Sequence, residues 1–467
     1  MLALAGFLMV AVFMVLIMTK RLSPLVALIL IPIITALFLG AQPQEIGEMA
    51  LDGIKALAPT GVMLMFAILY FGLMIDAGLF NPIIQRIVRL VDGDPKKVVI
   101  GSAVLAAFVS LDGDGSTTYM ITIAAMLPLY QRLGMNVLNL TCVTMLASGV
   151  MNLTPWGGPL ARAASALHVD TAELFIPMLP TMAAGIVGVF CVAWYLGNKE
   201  RSRLGYHIGE DGVLKKADGG MIGRLSDVPR TSVLPAITQS ETRTGPGNTE
   251  GEGNDPGPSF SRPALLPVNA LMTILLMIAL IAGFLPIPLL FMIAFAVALL
   301  INYPNMQDQR SRLVAHSGNV ISVVSIIFAA GVFTGILNGT GMVTAMSDSF
   351  VLFIPESLGP HLAPITATAS LPFTFFISND AFYFGMLPVI AETAGQFDVS
   401  KLELARASLI GQPVHILSPL VPSTFLLVGL AGVELGDHQR FTLKWAILIC
   451  VVMGVTAVLT GAFPFSA

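Results

Sequence analysis

The chain has 467 residues, of which 55% are hydrophobic and only 11% are charged, and its mean hydropathy is +0.83. Soluble domains carry about 25% charged residues, so this composition excludes a single water-soluble globular domain and indicates a membrane protein with several spans. The formal net charge of -4 gives no sign of nucleic-acid binding.

Long apolar segments follow one another along the chain, and several approach the roughly 20 residues needed to cross a bilayer core. They include Leu2 to Met18, Leu22 to Leu39, Met178 to Leu196, Ala264 to Leu285 and Trp445 to Leu459. The first segment has no basic region before it, so we expect a retained span rather than a cleaved signal. All the cysteines, which are Cys142, Cys191 and Cys450, fall in predicted spans, and this argues against a disulfide framework or a zinc site.

One long polar segment, residues 197–262, interrupts the apolar pattern. Its part "TRTGPGNTEGEGNDPGPSFSRP" is rich in Gly, Pro, Glu, Asn and Thr and cannot bury enough apolar surface to offset its ordering entropy. We therefore predict a disordered linker, a spacer rather than a regulatory domain. It separates a first membrane repeat, residues 1–196, from a second membrane repeat, residues 263–467.

The two halves show the same order of features. Each has two spans, then a glycine-bearing span, then an apolar run interrupted by polar residues, "SLDGDGSTTY" at 110–119 and "SNDAFYFG" at 378–385. Each continues with a span broken by Pro and Gly, "ASGVMNLTPWGGPLARAASAL" at 147–167 and "GQPVHILSPLVPSTFLLVGL" at 411–430. Matching interrupted segments of this kind indicate a secondary transporter and the position of its binding site.

The basic residues define a topology. If the interrupted runs are re-entrant hairpins, each half crosses the membrane five times, and the second repeat is inverted relative to the first. Most Lys and Arg residues then lie on one face, which should be cytoplasmic together with the linker; Lys401 and Arg406 do not fit this pattern. The fold class predicted is therefore an all-α polytopic membrane protein with two inverted repeats, each with a re-entrant hairpin and a broken helix.

The hairpin tips carry Asp112, Asp114 and Asp380 in apolar surroundings. A carboxylate at the bilayer centre costs about 2.5–3.5 kcal/mol on insertion scales, so such residues usually face a cavity or a partner. We expect the tips to meet near the midplane and the aspartates to face a metal ion, with nearby oxygens suited to Mg²⁺ or Ca²⁺. Those oxygens belong to Ser110, Ser116, Thr117, Thr118, Ser378 and Asn379. The alternative is that these small polar residues only make turns.

The broken spans supply an anion site. Arg162 can form a bidentate pair with a carboxylate, and the half-helix after Gly158 offers unpaired N–H groups. The alternative is that Arg162 reaches to the outer surface. The further candidate substrate-binding residues of these breaks are Asn152, Thr154, Gly157, His415 and Ser418. His415 is also a candidate proton carrier, as are the three tip aspartates, although a structural histidine would satisfy a broken helix equally well.

These motifs resemble the signature stretches of the bacterial citrate–divalent metal/proton symporters of the ion-transporter superfamily. The resemblance includes "SLDGDGSTTY", "NLTPWGGPLARAASAL", "FFISNDAFYFGMLPVIAE" and "GQPVHILSPLVPSTFLLVGLAGVELGDHQRFTLKWA", and it covers nearly the whole chain except the linker. It implies uptake of a citrate–metal complex with protons, an elevator-type movement and a homodimer in the bacterial inner membrane. Sodium-coupled dicarboxylate relatives carry Ser-Asn-Thr at both tips, whereas here the tips read "GDGST" and "SND". This difference favours a metal-bearing cargo or proton coupling.

Two alternatives remain at this level. One is a di- or tricarboxylate transporter of the same superfamily without metal in the cargo, or a sodium/proton exchanger. The other is a membrane-embedded enzyme, but the sequence contains no HExxH, no GxSxG and no glycine-rich phosphate loop, so we expect no enzymatic activity. No permanently bound cofactor is expected. The divalent cation belongs to the cargo.

Overall fold

The computed structural model describes residues 2–91, 93–208, 214–216, 260–352 and 354–467, and their regular secondary structure is helical apart from one small ribbon. The first half contains α1 (Leu2–Met18), α2 (Pro24–Phe38), α3 (Pro43–Asp76), α4 (Asn81–Val91), α5 (Pro95–Val109), α6 (Gly115–Leu133), α7 (Val137–Met151), α8 (Gly158–Leu167), α9 (Thr171–Phe175) and α10 (Leu179–Arg203). The antiparallel ribbon pairs β1 (Tyr206–Ile208) with β2 (Leu214–Lys216).

The second half contains α11 (Leu266–Ala282), α12 (Ile287–Asn302), α13 (Met306–Gly339), α14 (Met342–Val351), α15 (Leu362–Phe376), α16 (Leu387–Gly395), α17 (Lys401–Ser408), α18 (Gln412–His415), α19 (Pro422–Ala431) and α20 (Leu435–Leu459). A π-helix, Ala381–Met386, precedes α16. Short 3₁₀ turns lie at Ser110–Asp112, Ile176–Met178, Pro263–Leu265, Gly359–His361 and Leu409–Gly411.

Local sequence signals set many helix starts. Ser23 caps α2, and Asp94 caps α5 by accepting a hydrogen bond from the Lys96 N–H. Both caps are followed by proline, whose fixed φ and missing N–H suit the first helical position. In the described part of the chain, five helical segments are long and apolar enough to cross a membrane, among them α3, α13 and α20. The all-α membrane fold is confirmed.

The two halves repeat one order of elements. A helix of 34 residues (α3, α13) is followed by a short helix (α4, α14) and by two helices around a polar tip (α5 and α6, α15 and α16). A broken helix (α7–α8, α17–α19) and a 25-residue helix (α10, α20) close each half. The relation of the two halves as structural repeats stays a prediction. The inverted orientation of the second repeat stays a prediction.

The buried side chains form two large clusters, and each draws on both halves of the chain. The first core combines elements between Phe80 and Leu196 with elements between Leu362 and Phe463. The second core combines α1 to α3 with α11 to α14. It also includes single residues of the site elements, which are Trp156, Ala161, Ala166, Ala381, Phe384 and Val389. Within it α3 and α13 cross so closely that a Cβ added to Gly53 would overlap the carbonyl oxygen of Gly331. Glycine is needed there because the two backbones are in contact.

The start of the predicted linker lies later than expected. α10 continues to Arg203, beyond the predicted boundary at Leu196, because its last turn is anchored to the first core. Glu200 is buried and accepts hydrogen bonds from the Asn136 N–H and the Asn139 side chain. Most of the segment predicted to be disordered, residues 217–259, lies outside the described residues.

Candidate functional site

The first polar tip, between α5 and α6, is held by its own aspartates. Gly113 takes a left-handed conformation with φ 79° and ends the turn. The Asp112 carboxylate accepts a hydrogen bond from the Asp114 N–H at 2.9 Å. Asp114 in turn caps α6, because its carboxylate accepts hydrogen bonds from the N–H groups of Ser116 and Thr117 and from the Thr117 hydroxyl. The turn-making role considered for these residues is therefore present in the structure.

The second tip, between α15 and the π-helix, contains a buried polar atom without a hydrogen-bond partner among the described residues. The Ser378 hydroxyl accepts a hydrogen bond from the Ala381 N–H at 3.2 Å. The side-chain oxygen of Asn379 is buried and has no partner in the described structure. Asp380 is buried, and its carboxylate contacts the first half of the chain. A buried oxygen without a hydrogen-bond partner is costly, so the Asn379 side chain is a point of unsatisfied polarity at this tip.

Arg162 is the partner of Asp380. The Arg162 Nε–H donates to the Asp380 carboxylate at 2.7 Å, and the two side chains are 22% and 12% exposed. The pair joins α8 of the first half to the tip of the second half, across 218 residues of sequence. A Cβ added to Gly158 would lie 2.8 Å from Arg162 Nη1, so the guanidinium also lies beside the start of α8. Arg162 is thus paired within the protein while its side chain keeps 22% exposure.

The second broken helix contributes two buried polar side chains. His415 Nδ1 lies 2.6 Å from the carbonyl oxygen of Thr374. Because a carbonyl can only accept, Nδ1 carries the proton and Nε2 is left for another partner. The Ser418 hydroxyl donates to the carbonyl of Phe375, also at 2.6 Å. Both residues therefore fix the break against α15.

A cavity of about 130 Å³ lies where these elements meet. Both tips and both helix breaks line it. Of the predicted site residues, the lining includes Asn152, Gly158, Asn379 and His415; it also includes Gly113, Gly115, Tyr119, Ser148, Pro159, Ile416, Val421 and Ser423. The structure thus places elements from distant parts of both halves around one small space.

Other predicted residues lie around this space without lining it. They are Ser110, Asp112, Asp114, Ser116, Thr117, Thr118, Thr154, Gly157, Arg162, Ser378, Asp380 and Ser418. Thr118 donates to Ser110 at 3.2 Å, so this pair supports the first tip from behind. The Thr154 hydroxyl is buried without a partner in the described structure. The role of each of these residues in binding stays a prediction.

Comparisons with known proteins agree with this architecture. The citrate transporter family (CitMHS) matches residues 13–411. The chain belongs to the citrate transporter family. The transporter is 54% identical over 465 residues to the "Citrate transporter" of Bacillus subtilis (strain 168), covering 100% of both chains. It is 49% identical over 466 residues to the "Mg(2+)/citrate complex secondary transporter" of the same organism, again covering 100% of both chains.

A solved structure shows the same fold at low sequence similarity. The YdaH transporter of Alcanivorax borkumensis, described as having an unusual topology, matches with a TM-score of 0.50 and 14% identity over 90% of this chain and 89% of that chain. The resemblance drawn from the sequence motifs is confirmed at the level of the family. The matching family and both relatives carry the names of transporters.

The transporter does not gather the three tip aspartates into one metal centre in this conformation. The described residues contain no group of three or more His, Cys, Asp or Glu side chains arranged to hold a metal ion. Asp114 is occupied as a helix cap, and Asp380 is paired with Arg162. The prediction that Asp112, Asp114 and Asp380 jointly face a metal therefore needs a rearrangement and stays a prediction.

Sequence reasoning missed three polar residues of the transporter's cavity: Tyr119, Ser148 and Ser423. Tyr119 lies about one helical turn beyond the first tip. Ser148 lies one turn before the first break, and Ser423 follows the second break directly. A search for polar residues within one turn of each interruption would have found them, because one turn of helix spans only about 5.4 Å.

Proposed function

We propose that the transporter imports citrate complexed with a divalent cation, Mg²⁺ or Ca²⁺, together with protons. The observation that carries this proposal is that both tips and both helix breaks line one cavity of about 130 Å³, with the Arg162–Asp380 pair beside it. The name of the relative that is 49% identical, a Mg²⁺/citrate complex transporter, supports the choice of cargo. No permanently bound cofactor enters the proposal.

The charges around the cavity favour the metal complex over free citrate. Free citrate carries about three negative charges at neutral pH, because its carboxyl groups ionise in the acidic range. Asp112, Asp114 and Asp380 together carry up to three negative charges near the cavity, and Arg162 carries one positive charge. At an effective dielectric near 20, each close contact between like charges costs on the order of 4 kcal/mol. A bound divalent cation reduces the complex to about one negative charge and gives a carboxylate a partner.

The Arg162–Asp380 ion pair exchanges partners when the cargo binds. In the present conformation the Asp380 carboxylate compensates the guanidinium. A carboxylate of citrate can take over the guanidinium with a bidentate geometry, which an arginine provides and a lysine does not. Asp380 is then released toward the metal ion of the cargo or toward a proton. Binding of the cargo thereby changes the electrostatic state of the second tip.

His415 is placed to assist this exchange. It lines the cavity, and its Nδ1–H is committed to the Thr374 carbonyl, so Nε2 is the nitrogen available to cargo or proton. We propose that proton coupling is carried by His415 or by one of the three tip aspartates. The Asn379 side-chain oxygen, which has no partner in the described structure, is a further ligand for the cation of the cargo.

The cavity has to widen during the cycle. Its volume of about 130 Å³ is smaller than the roughly 300–1,000 Å³ of typical ligand pockets. We propose an elevator-type movement in which the first core carries the site past the second core. We further propose a homodimer in the bacterial inner membrane, with the linker cytoplasmic.

The proposed cargo is tested by uptake of labelled citrate into proteoliposomes that contain the purified transporter. We expect uptake with Mg²⁺ or Ca²⁺, loss of uptake with excess chelator, and recovery when the metal is restored. An acidic exterior should stimulate uptake, and collapse of the proton gradient should abolish accumulation. Empty liposomes are the control. Full uptake in chelator would instead indicate a plain di- or tricarboxylate transporter, and cation exchange without citrate movement would indicate a sodium/proton exchanger.

A further inference from the structure

Trp156 lies in the break between α7 and α8, but its ring is buried in the other core of the protein. The side chain is 6% exposed and belongs to the second core. Its ring centroid lies 5.4 Å from that of Phe71 on α3 and 5.1 Å from that of Phe291 on α12. The Phe71 and Phe291 rings also contact each other, so the indole is enclosed by aromatic side chains of the opposite core.

The other edge of the same ring holds the first tip. The Trp156 Nε1–H donates to the Leu111 carbonyl at 2.9 Å. A Cβ added to Gly113 would lie 2.9 Å from Trp156 Cδ1, so the indole lies directly against the tip backbone. Gly113 and Gly115 of this tip line the cavity, and Asp112 and Asp114 belong to it. One rigid side chain therefore contacts the wall of the cavity and the second core at the same time.

We propose that Trp156 is a positioning residue that couples the first tip to α3 and α12. The proposal rests on the proposed transport function. A tip that moves when the cavity widens pulls on the indole through the Leu111 carbonyl, and the ring must then shift within its enclosure of Phe71 and Phe291. Conversely, the enclosure holds the tip through the Trp156–Leu111 hydrogen bond. A residue that only fills space would not link the movement of the tip to the movement of the ring.

Transport kinetics separate the two attachments. Trp156→Phe keeps an aromatic ring in the enclosure but removes the hydrogen bond to Leu111, and Phe291→Leu weakens the enclosure but keeps that bond. Each variant should change the maximal rate of Mg²⁺–citrate uptake by about 2- to 10-fold, the range that corresponds to one hydrogen bond or one aromatic pair. The apparent KM should change less. Phe66→Leu is the matched control, because Phe66 also lies on α3 and contacts Phe295 rather than Trp156.

The double variant distinguishes coupling from general loosening. Residues that act as one unit show non-additive effects, so Trp156→Phe with Phe291→Leu should change the rate by less than the product of the single effects. Each variant is first shown to be folded by its thermal unfolding in detergent. Multiplicative effects, unchanged rates, or an equal effect of Phe66→Leu would each overturn the proposal.

Fluorescence gives a signal that would not change on cargo binding if Trp156 had only a structural role. With Trp194→Phe and Trp445→Phe, Trp156 remains as the sole tryptophan of the chain. Mg²⁺ and citrate together should shift its emission to longer wavelength and increase quenching by acrylamide, whereas Mg²⁺ alone should not. Unchanged emission in a variant that still takes up citrate would refute the coupling. If the parent transports citrate without metal, the proposed cargo is wrong, and citrate alone then serves as the probe for Trp156.

Discussion

Asp380→Asn should relax the preference of the transporter for the metal complex. An Asp380 carboxylate oxygen lies 2.7 Å from Arg162 Nε, and the carboxylate adds a negative charge beside the cavity. Removing this charge frees the guanidinium and eliminates one contact between like charges when bare citrate binds. At an effective dielectric near 20 such a contact at 4 Å is worth about 4 kcal/mol. Partial exposure of the pair reduces this to about 2–4 kcal/mol, which corresponds to a gain of about 30- to 1,000-fold in affinity for bare citrate.

The assay is equilibrium binding of labelled citrate to the purified protein, with and without Mg²⁺. Affinity for the Mg²⁺–citrate complex should change less, because the complex carries about one negative charge. Asp52→Asn is the matched control, since Asp52 forms an exposed ion pair with Lys55 and such pairs are worth about 0–1 kcal/mol. Thermal unfolding of Asp380→Asn checks that Arg162 without its partner is tolerated. A folded variant whose affinity for bare citrate equals that of the parent would refute the reasoning.

Arg162→Lys should weaken citrate binding at least 10-fold although the charge is kept, because an ammonium cannot reproduce the bidentate geometry; unchanged affinity in the binding assay would remove Arg162 from the site. Asp114→Ala should lower the free energy of unfolding by about 0.5–2 kcal/mol through loss of the α6 cap, whereas Asp114→Asn should retain the cap. Citrate uptake measured in Asp114→Asn then tests the carboxylate itself, and full uptake would restrict Asp114 to capping. In a Cys191→Ser background, Ser240→Cys in the linker should resist an impermeant thiol reagent in whole cells while the exposed Ser357→Cys reacts, and the reverse labelling pattern would contradict the predicted topology.

The sequence by itself determined that the protein lies in a membrane, that its fold is all-α and which family it belongs to. Continuous apolar runs that are long enough to cross a bilayer form helices, because a backbone in hydrocarbon must satisfy its own hydrogen bonds. Caps and helix breakers, such as Asp114 before α6 and "TPWGGP" after α7, also act locally, so they revealed where tips and breaks lie. The start of the linker was misplaced because Glu200 and its partners Asn136 and Asn139 meet only in the folded chain.

Only the tertiary structure decided which of these pieces meet. Arg162 pairs with Asp380 across 218 residues, and a single sequence contains no signal for a contact at that separation. The division into two cores, each built from both halves, likewise follows from packing of long helices rather than from any local pattern. Trp156 illustrates the difference: its position in a helix break can be read from the sequence, but its burial between Phe71 and Phe291 depends on the surface that the opposite core presents.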